Sequence, residues 1–152
     1  MEIRTFRPDD RKLVEAFFDQ MSGETRTLFD RGSFNRNNAL GYFEGKDKDV
    51  IRWLCLNEGR MVGYVFLWDL KTGVPWLGIA VSEDYMGKGL GRRLLKTAHD
   101  YAHEKEKGAV MLTTHVANLR AQALYERCGY ERLGMHTSGE ILYMYRFSKV
   151  QP

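Results

Sequence analysis

The chain has 152 residues, enough for one compact domain with a core and too few for a second of ordinary size. Hydrophobic residues make up 43% and charged residues 28%, which excludes a disordered, collagen-like or disulfide mini-protein composition. Lys and Arg number 23 against 20 Asp and Glu, so the net charge is +3; this suits a small anionic ligand and lacks the dense basic stripe of a nucleic-acid binder.

In chain order, Ile3 to Phe6 reads as a short strand. Pro8 and Asp9 open a helix whose apolar positions are Leu13, Val14, Phe17, Phe18 and Met21. Ser22 to Tyr42 is less regular, with room for a second short helix. Val50 to Leu56 and Met61 to Trp68 read as strands joined by a hairpin turn at Asn57-Glu58-Gly59-Arg60. Pro75 to Val81 is a further apolar strand.

From Gly89 the period changes to helical, with Leu90, Leu94, Leu95, Ala98, Tyr101 and Ala102 on one stripe that Gly108 stops. Val110 to Val116 is a strand. Asn118 to Cys128 is a short helix with Asn118 as N-cap and Gly129 beyond its end. Tyr130 to Met135 and Ile141 to Phe147 form a last strand pair. The order predicts one mixed α/β domain over residues 1–152, a single sheet with helices packed on it.

Cys55 and Cys128 lie far apart and suit a reducing compartment. No Cys/His cluster has zinc-ligand spacing, so no metal is expected. No apolar h-region follows the N-terminus, and the longest apolar-rich run, Met61 to Trp68, is far short of a membrane span. A soluble cytoplasmic protein with no membrane partner is expected. Lys96, His103, Lys105 and Lys107 alternate with Asp100, Glu104 and Glu106, which reads as a solvated helix face and argues against nucleic acid.

Two stretches carry chemistry. Between the strand ending at Val81 and the helix beginning near Leu90 run Met86, Gly87, Lys88, Gly89, Leu90, Gly91 and Arg92. Glycines at alternate positions let the backbone bend and offer N–H groups beside a helix N-terminus, an anion cradle with Lys88, Arg92 and Arg93 nearby. A P-loop needs Ser or Thr after Gly-Lys, and a Rossmann fingerprint needs Gly or Ala at position 92; both fail. A plain strand–helix turn remains open. The second stretch is the helix from Asn118, where Tyr125 lies two turns on along the same face. A phenol there could protonate a departing anion, or Tyr125 could be packing and Asn118 only a cap.

Together these segments resemble the GNAT superfamily of N-acetyltransferases. The first is similar to its acyl-CoA pyrophosphate loop, preceded by Leu77-Gly78-Ile79-Ala80-Val81. The second is similar to its later motif, here Asn118, Ala121, Leu124-Tyr125 and Gly129-Tyr130, which begins 27 residues after Gly91. The motif-bearing resemblance covers about residues 60 to 131. It implies a central mixed, twisted sheet of about seven strands with about four flanking helices, splayed between the strands at 76–82 and 110–116.

It also implies acetyl-CoA in that gap as co-substrate: pantetheine paired with Ile79, Ala80 and Val81, pyrophosphate on the loop from Met86 to Arg92, and Asn118 supporting the cofactor arm. Met86 stands where the family usually has Gln or Arg, which removes one contact of the loop.

The reaction implied is direct attack of a primary amine on the thioester, with Tyr125 protonating the leaving thiolate. The base is less defined. The glutamate or histidine that many relatives place on the fourth strand is missing from Val74 to Gly78, and the fifth-strand glutamate position of others is Thr113 here. His115, two residues on, is the candidate base, with Glu83, Asp84, Glu24 and Asp69 as lesser candidates and a water relay as the alternative. The acceptor, an amine-bearing small molecule or peptide, is expected between Met21 to Phe43 and Gly134 to Glu140, with Glu24 and Asp30 facing a cation and Trp76 as pocket wall or core. A non-catalytic acyl-CoA-binding module on the same fold is the alternative function. Two copies, if they pair, are expected to do so through the last strands as a homodimer.

Overall fold

The computed structural model describes residues 1–21, 23 and 34–147, with Phe34 described in its backbone only. Glu24 and Asp30 lie outside the described residues. Among the described residues are seven strands: β1 (Glu2–Thr5), β2 (Val50–Asn57), β3 (Arg60–Trp68), β4 (Trp76–Val81), β5 (Ala109–Thr114), β6 (Glu131–Met135) and β7 (Ile141–Arg146). The helices are α1 (Arg11–Asp19), α2 (Phe34–Leu40), α3 (Leu90–Glu104) and α4 (Leu119–Arg127). A 3-10 turn at Pro8–Asp10 precedes α1, and Met21 falls beyond its end.

The strands form one sheet in the order β1-β2-β3-β4-β5-β7-β6. All neighbours are antiparallel except β4 and β5. The β2–β3 turn has Glu58 at φ 52° and Gly59 at φ 76°, the paired positive angles that a two-residue hairpin needs. β6 is the edge strand on that side of the sheet and carries the exposed Leu133 and Met135.

Two apolar layers cover the two faces. On one, Leu94, Leu95, Ala98 and Ala102 of α3 and Tyr125 of α4 pack on Val65, Leu67, Leu77, Val110 and Leu112. On the other, Val14, Phe17 and Phe18 of α1 and Leu40 pack on Leu54, Tyr64 and Phe66. β3 is buried on both faces because helices lie on both, so it reads as a continuous apolar run. The register between β2 and β3 shifts after Cys55, where Cys55 faces Gly63 and Leu56 faces Met61, leaving Val62 as an extra residue. That bulge turns adjacent Val62 and Gly63 to the same α3-facing side, where a Cβ at Gly63 would come within 2.9 Å of Leu94.

Two buried ion pairs tie the periphery to the sheet. Asp10 accepts from Arg4 at 2.8 and 2.9 Å and from the Arg7 N–H at 2.7 Å. Arg52, 4% exposed, donates to both Asp47 oxygens, to Asn38 Oδ1 at 3.0 Å and to Tyr64 Oη at 2.7 Å, which links α2 and the segment after it to β2. Arg4 holds the Asp10 carboxyl below its ordinary value of 3.8. The pair therefore contributes stability above that value, and the contribution is lost as the pH falls through the lower folded-state value. Asp10→Asn is expected to cost about 3 kcal/mol in urea unfolding at pH 7, since it leaves a part-buried guanidinium without its partner. The cost should shrink below pH 3.8.

His99 on α3 is stacked on Tyr145 at 4.3 Å and shares a 2.6 Å hydrogen bond with Tyr130. Burial lowers its value from 6.5 to about 4. The folded state thus binds fewer protons there than the unfolded chain, and stability falls as the pH drops from 6.5 to about 4. His99→Phe should flatten that part of the stability–pH curve, measured as midpoint against pH.

Candidate active site

β4 and β5 share one bridge, Trp76 to Met111, and then part. The N–H of Met111 bonds the Pro75 carbonyl at 3.0 Å and that of Gly108 bonds Gly73 at 2.9 Å, so the two strands are joined only at their starts. The Ser82 N–H bonds the Val62 carbonyl on the β3 side, and the register Ala80 to Tyr64 keeps even-numbered β4 residues bonded toward β3. The N–H and C=O groups of Ile79 and Val81 consequently face the gap with no strand opposite. Sequence patterning predicted the strand at 75–81; its free edge follows from the splay.

The glycine loop lies at the open end of this gap. Gly87 has φ 75° and Gly89 φ 84°, and Gly89 is the N-cap of α3. The first helical bond runs from the Arg93 N–H to the Gly89 carbonyl at 3.2 Å. The N–H groups of Gly87 through Arg92 therefore reach no acceptor among the described residues. A Cβ at Gly89 would meet nothing within 4 Å, so its surroundings are open. Gly91 has a different reason: a Cβ there would come within 2.9 Å of Leu124, so its absence lets α4 approach α3. Leu90 is buried in the core and anchors the loop to the sheet.

The loop is pinned by Tyr85, whose hydroxyl bonds Asn57 and whose ring carries Arg60 and Lys88, each 5.5 Å from its centre. Lys88 thus rests on Tyr85. Arg60 also pairs with Asp84 at 2.7 Å, so Asp84 is neutralised in an exposed ion pair. Met86 is half-buried, and Arg92 is exposed beside the helix start. The sequence reading missed Arg120. Its Nη1 comes within 3.6 Å of where a Gly87 Cβ would stand, so α4 brings a second guanidinium over the loop. Only the packing of α4 against α3 reveals that.

Asn118 caps α4, its Oδ1 accepting from the Ala121 N–H at 3.2 Å. Tyr125 is 6% exposed and lies on the α3/α4 face of the sheet among Tyr130 and Tyr143. Burial holds its phenol well above the ordinary value, and the Glu140 carboxylate and Tyr143 add to the shift. The phenol is therefore neutral at rest.

β5 ends at Thr114, two residues before the expected Val116, so strand alternation does not extend to His115. His115 lies in the turn to α4. Its Nδ1 accepts the Ala117 N–H at 3.0 Å, and its carbonyl accepts from Asn118 and Gln122. Glu83 is exposed in the turn after β4, and Asp69, with φ 57°, stands in the turn after β3. Trp76 is half-buried on the α1/α2 face, stacked on Trp68 at 6.2 Å and met edge-on by His136 at 5.7 Å. Thr113 Oγ1 donates to Glu140 Oε1 at 2.8 Å. Among the described residues, no group of three or more His, Cys, Asp or Glu side chains is placed to hold a metal ion.

A mixed seven-stranded sheet that parts between two parallel strands, with a glycine turn at the mouth, sets a free strand edge beside unpaired N–H groups at a helix start. Residues 11–130 match the acetyltransferase (GNAT) family, and the chain belongs to it. A relative from Bacillus subtilis, described as a putative alanine N-acetyltransferase of ribosomal protein bS18, is 30% identical over 95 residues, 62% of this chain and 63% of that protein. The match thus spans less than two thirds of the relative's length.

Among solved structures, the GNAT domain of S. lividans PAT superposes with a TM-score of 0.83 at 16% identity, covering 95% of this chain and 89% of the other. The PaiA N-acetyltransferase of Thermoplasma acidophilum, in complex with coenzyme A, superposes with a TM-score of 0.77 at 16% identity, covering 96% and 98%. These likenesses establish the fold, a central mixed sheet with seven strands and four longer helices among the described residues.

Proposed function

We propose that the protein is an acetyl-CoA-dependent N-acetyltransferase that moves an acetyl group to a primary amine within a ternary complex, carried by one domain. The observation that carries this reading is the parted edge of β4 beside a loop of unpaired N–H groups at a helix start. An extended pantetheine pairs with the free edge of Ile79 and Val81, with Ala80 between them, as an added strand would. The N–H groups of Gly87, Lys88, Gly89, Leu90, Gly91 and Arg92 take the pyrophosphate, aided by the dipole of α3 and by Arg92 and Arg120. Met86 shapes the start of the loop, and Asn118 borders the cofactor arm.

Bound acetyl-CoA supplies the acyl group and a thiolate leaving group. Tyr125, neutral in its buried place, donates the proton that the sulfur needs. An N–H on the gap side of β4 is suited to hold the developing oxyanion. For His115 to act as the base, its Nδ1 lone pair must release the Ala117 N–H. The relative described as a putative alanine N-acetyltransferase of a ribosomal protein favours a peptide N-terminus as one acceptor to try.

The test is release of free thiol from acetyl-CoA in the presence of an alanyl-terminated peptide amide, spermidine or kanamycin. Binding of acetyl-CoA without thiol release to any of them would favour a non-catalytic acyl-CoA-binding module. Tyr125→Phe should lower kcat by about 10²-fold or more and leave the KM for acetyl-CoA within about twofold. A kcat kept within about twofold would remove Tyr125 from the mechanism. Gly89→Val forces a branched side chain to φ 84° and should weaken acetyl-CoA binding about tenfold in calorimetry.

A further inference from the structure

The turn between β6 and β7 folds back over the point where β4 and β5 part. His136 meets Trp76, the β4 residue at the single bridge. Glu140 accepts from Thr113, two residues beyond Met111 on the β5 arm. Val110 and Leu112 point into the α3/α4 layer, so Met111 and Thr113 face the other side of the sheet, the side on which Trp76 stacks with Trp68. The Glu140 carboxylate therefore stands at the apex of the gap on the α1/α2 face. Tyr125 stands on the opposite face, and the Glu140 charge adds to the burial that holds its phenol protonated.

The turn is held by its own bonds. The His136 N–H donates to the Glu140 carbonyl at 2.8 Å, and that of Gly139 donates to the His136 carbonyl at 3.0 Å. The Ser138 N–H donates to His136 Nδ1 at 3.1 Å, and the Glu140 N–H donates to Ser138 Oγ at 3.3 Å. Glu140 is thus fixed through its backbone as well as its carboxylate. It is half-buried, and no Lys, Arg or His pairs with it among the described residues. A carboxylate so placed, with a hydroxyl as its only side-chain partner there, is complementary to a cation that enters from outside. His115, by contrast, already uses Nδ1 on the Ala117 N–H, which leaves its proton on Nε2.

We propose that Glu140 receives the ammonium of the acceptor amine and takes up its proton, with Thr113 as the positioning residue for the carboxylate; this rests on the transferase reading above. Protons and electrons balance as follows. The ammonium gives one proton to Glu140, which passes it to solvent. The freed nitrogen lone pair forms the C–N bond to the acyl carbon. The C–S bond breaks, and the sulfur keeps the pair and takes the Tyr125 proton. The second nitrogen proton returns to the Tyr125 phenolate. The products are an amide, coenzyme A thiol and one proton in solution. Acid and base thereby come from opposite faces of the sheet and meet only through the gap.

The test uses the full chain, acetyl-CoA and the three amines named above. Glu140→Gln, close in shape, should lower kcat by about 10²-fold or more with whichever amine the wild type uses, and leave the KM for acetyl-CoA within about twofold. Formate added to Glu140→Ala should restore part of the turnover, which a merely structural role would not do. Thr113→Val should lower kcat less than Glu140→Gln does, and His115→Gln should also have the smaller effect. A Glu140→Gln kcat within threefold of wild type, or a Glu140→Ala enzyme that formate does not rescue, overturns the proposal. A wild type that binds acetyl-CoA yet acetylates none of the amines overturns the transferase reading, and Glu140's role with it.

Discussion

Everything in the candidate site follows from β4 and β5 being joined at one bridge and then separating. A parallel pair that parted in the middle of a sheet would normally leave two rows of backbone groups without partners. Here the parting is held open from below. Leu77 of β4 and Val110 and Leu112 of β5 pack on the same layer of α3 residues, so the apolar contact is continuous where the hydrogen bonding is not. The result is a cleft in the sheet with a stable floor and free main-chain edges facing inward.

That cleft orders the remaining groups. The turn after β4 is tied to β2 and β3 through Tyr85, Asn57 and Arg60, which fixes where the glycine loop begins. α3 then starts at Gly89 with its free N–H groups directed to the mouth of the cleft. α4 packs close on α3 because Gly91 has no side chain to hold Leu124 away, and this contact also brings Arg120 over the loop. Positive charge at the mouth is therefore a product of helix packing as much as of the loop's own Lys88, which is occupied on Tyr85.

The two faces of the sheet have different chemistry. The α3/α4 face is apolar and tyrosine-rich, and burial there keeps Tyr125 protonated. The α1/α2 face carries an aromatic row, Tyr64, Phe66, Trp68 and Trp76, that ends at His136 and the turn bearing Glu140. A group bound in the cleft would have a phenol on one side and a carboxylate on the other.

Much of this was legible in the sequence because the signals were local. Period-two and period-3.6 patterning marked the strands and the two long helical stripes, Asn118 and Gly129 marked the limits of α4, and the alternating glycines marked a backbone free to bend and offer its N–H groups. The paired spacing of the loop and the Asn–Tyr helix identified the family. Three features were not legible. The buried Arg52–Asp47–Asn38–Tyr64 cluster joins residues whose partners are set by strand pairing and loop return. His115 looked like a continuation of β5, but the capping of α4 draws the chain into a turn there. Glu140 looked like the end of a hairpin loop, and only the β5–β7 register brings it to Thr113. Local backbone preference and side-chain period are properties of neighbouring residues, so the chain itself determined the elements and the glycine loop. Which carboxylate and which guanidinium reach the cleft depends on contacts between residues far apart in the chain, and tertiary packing alone decided those.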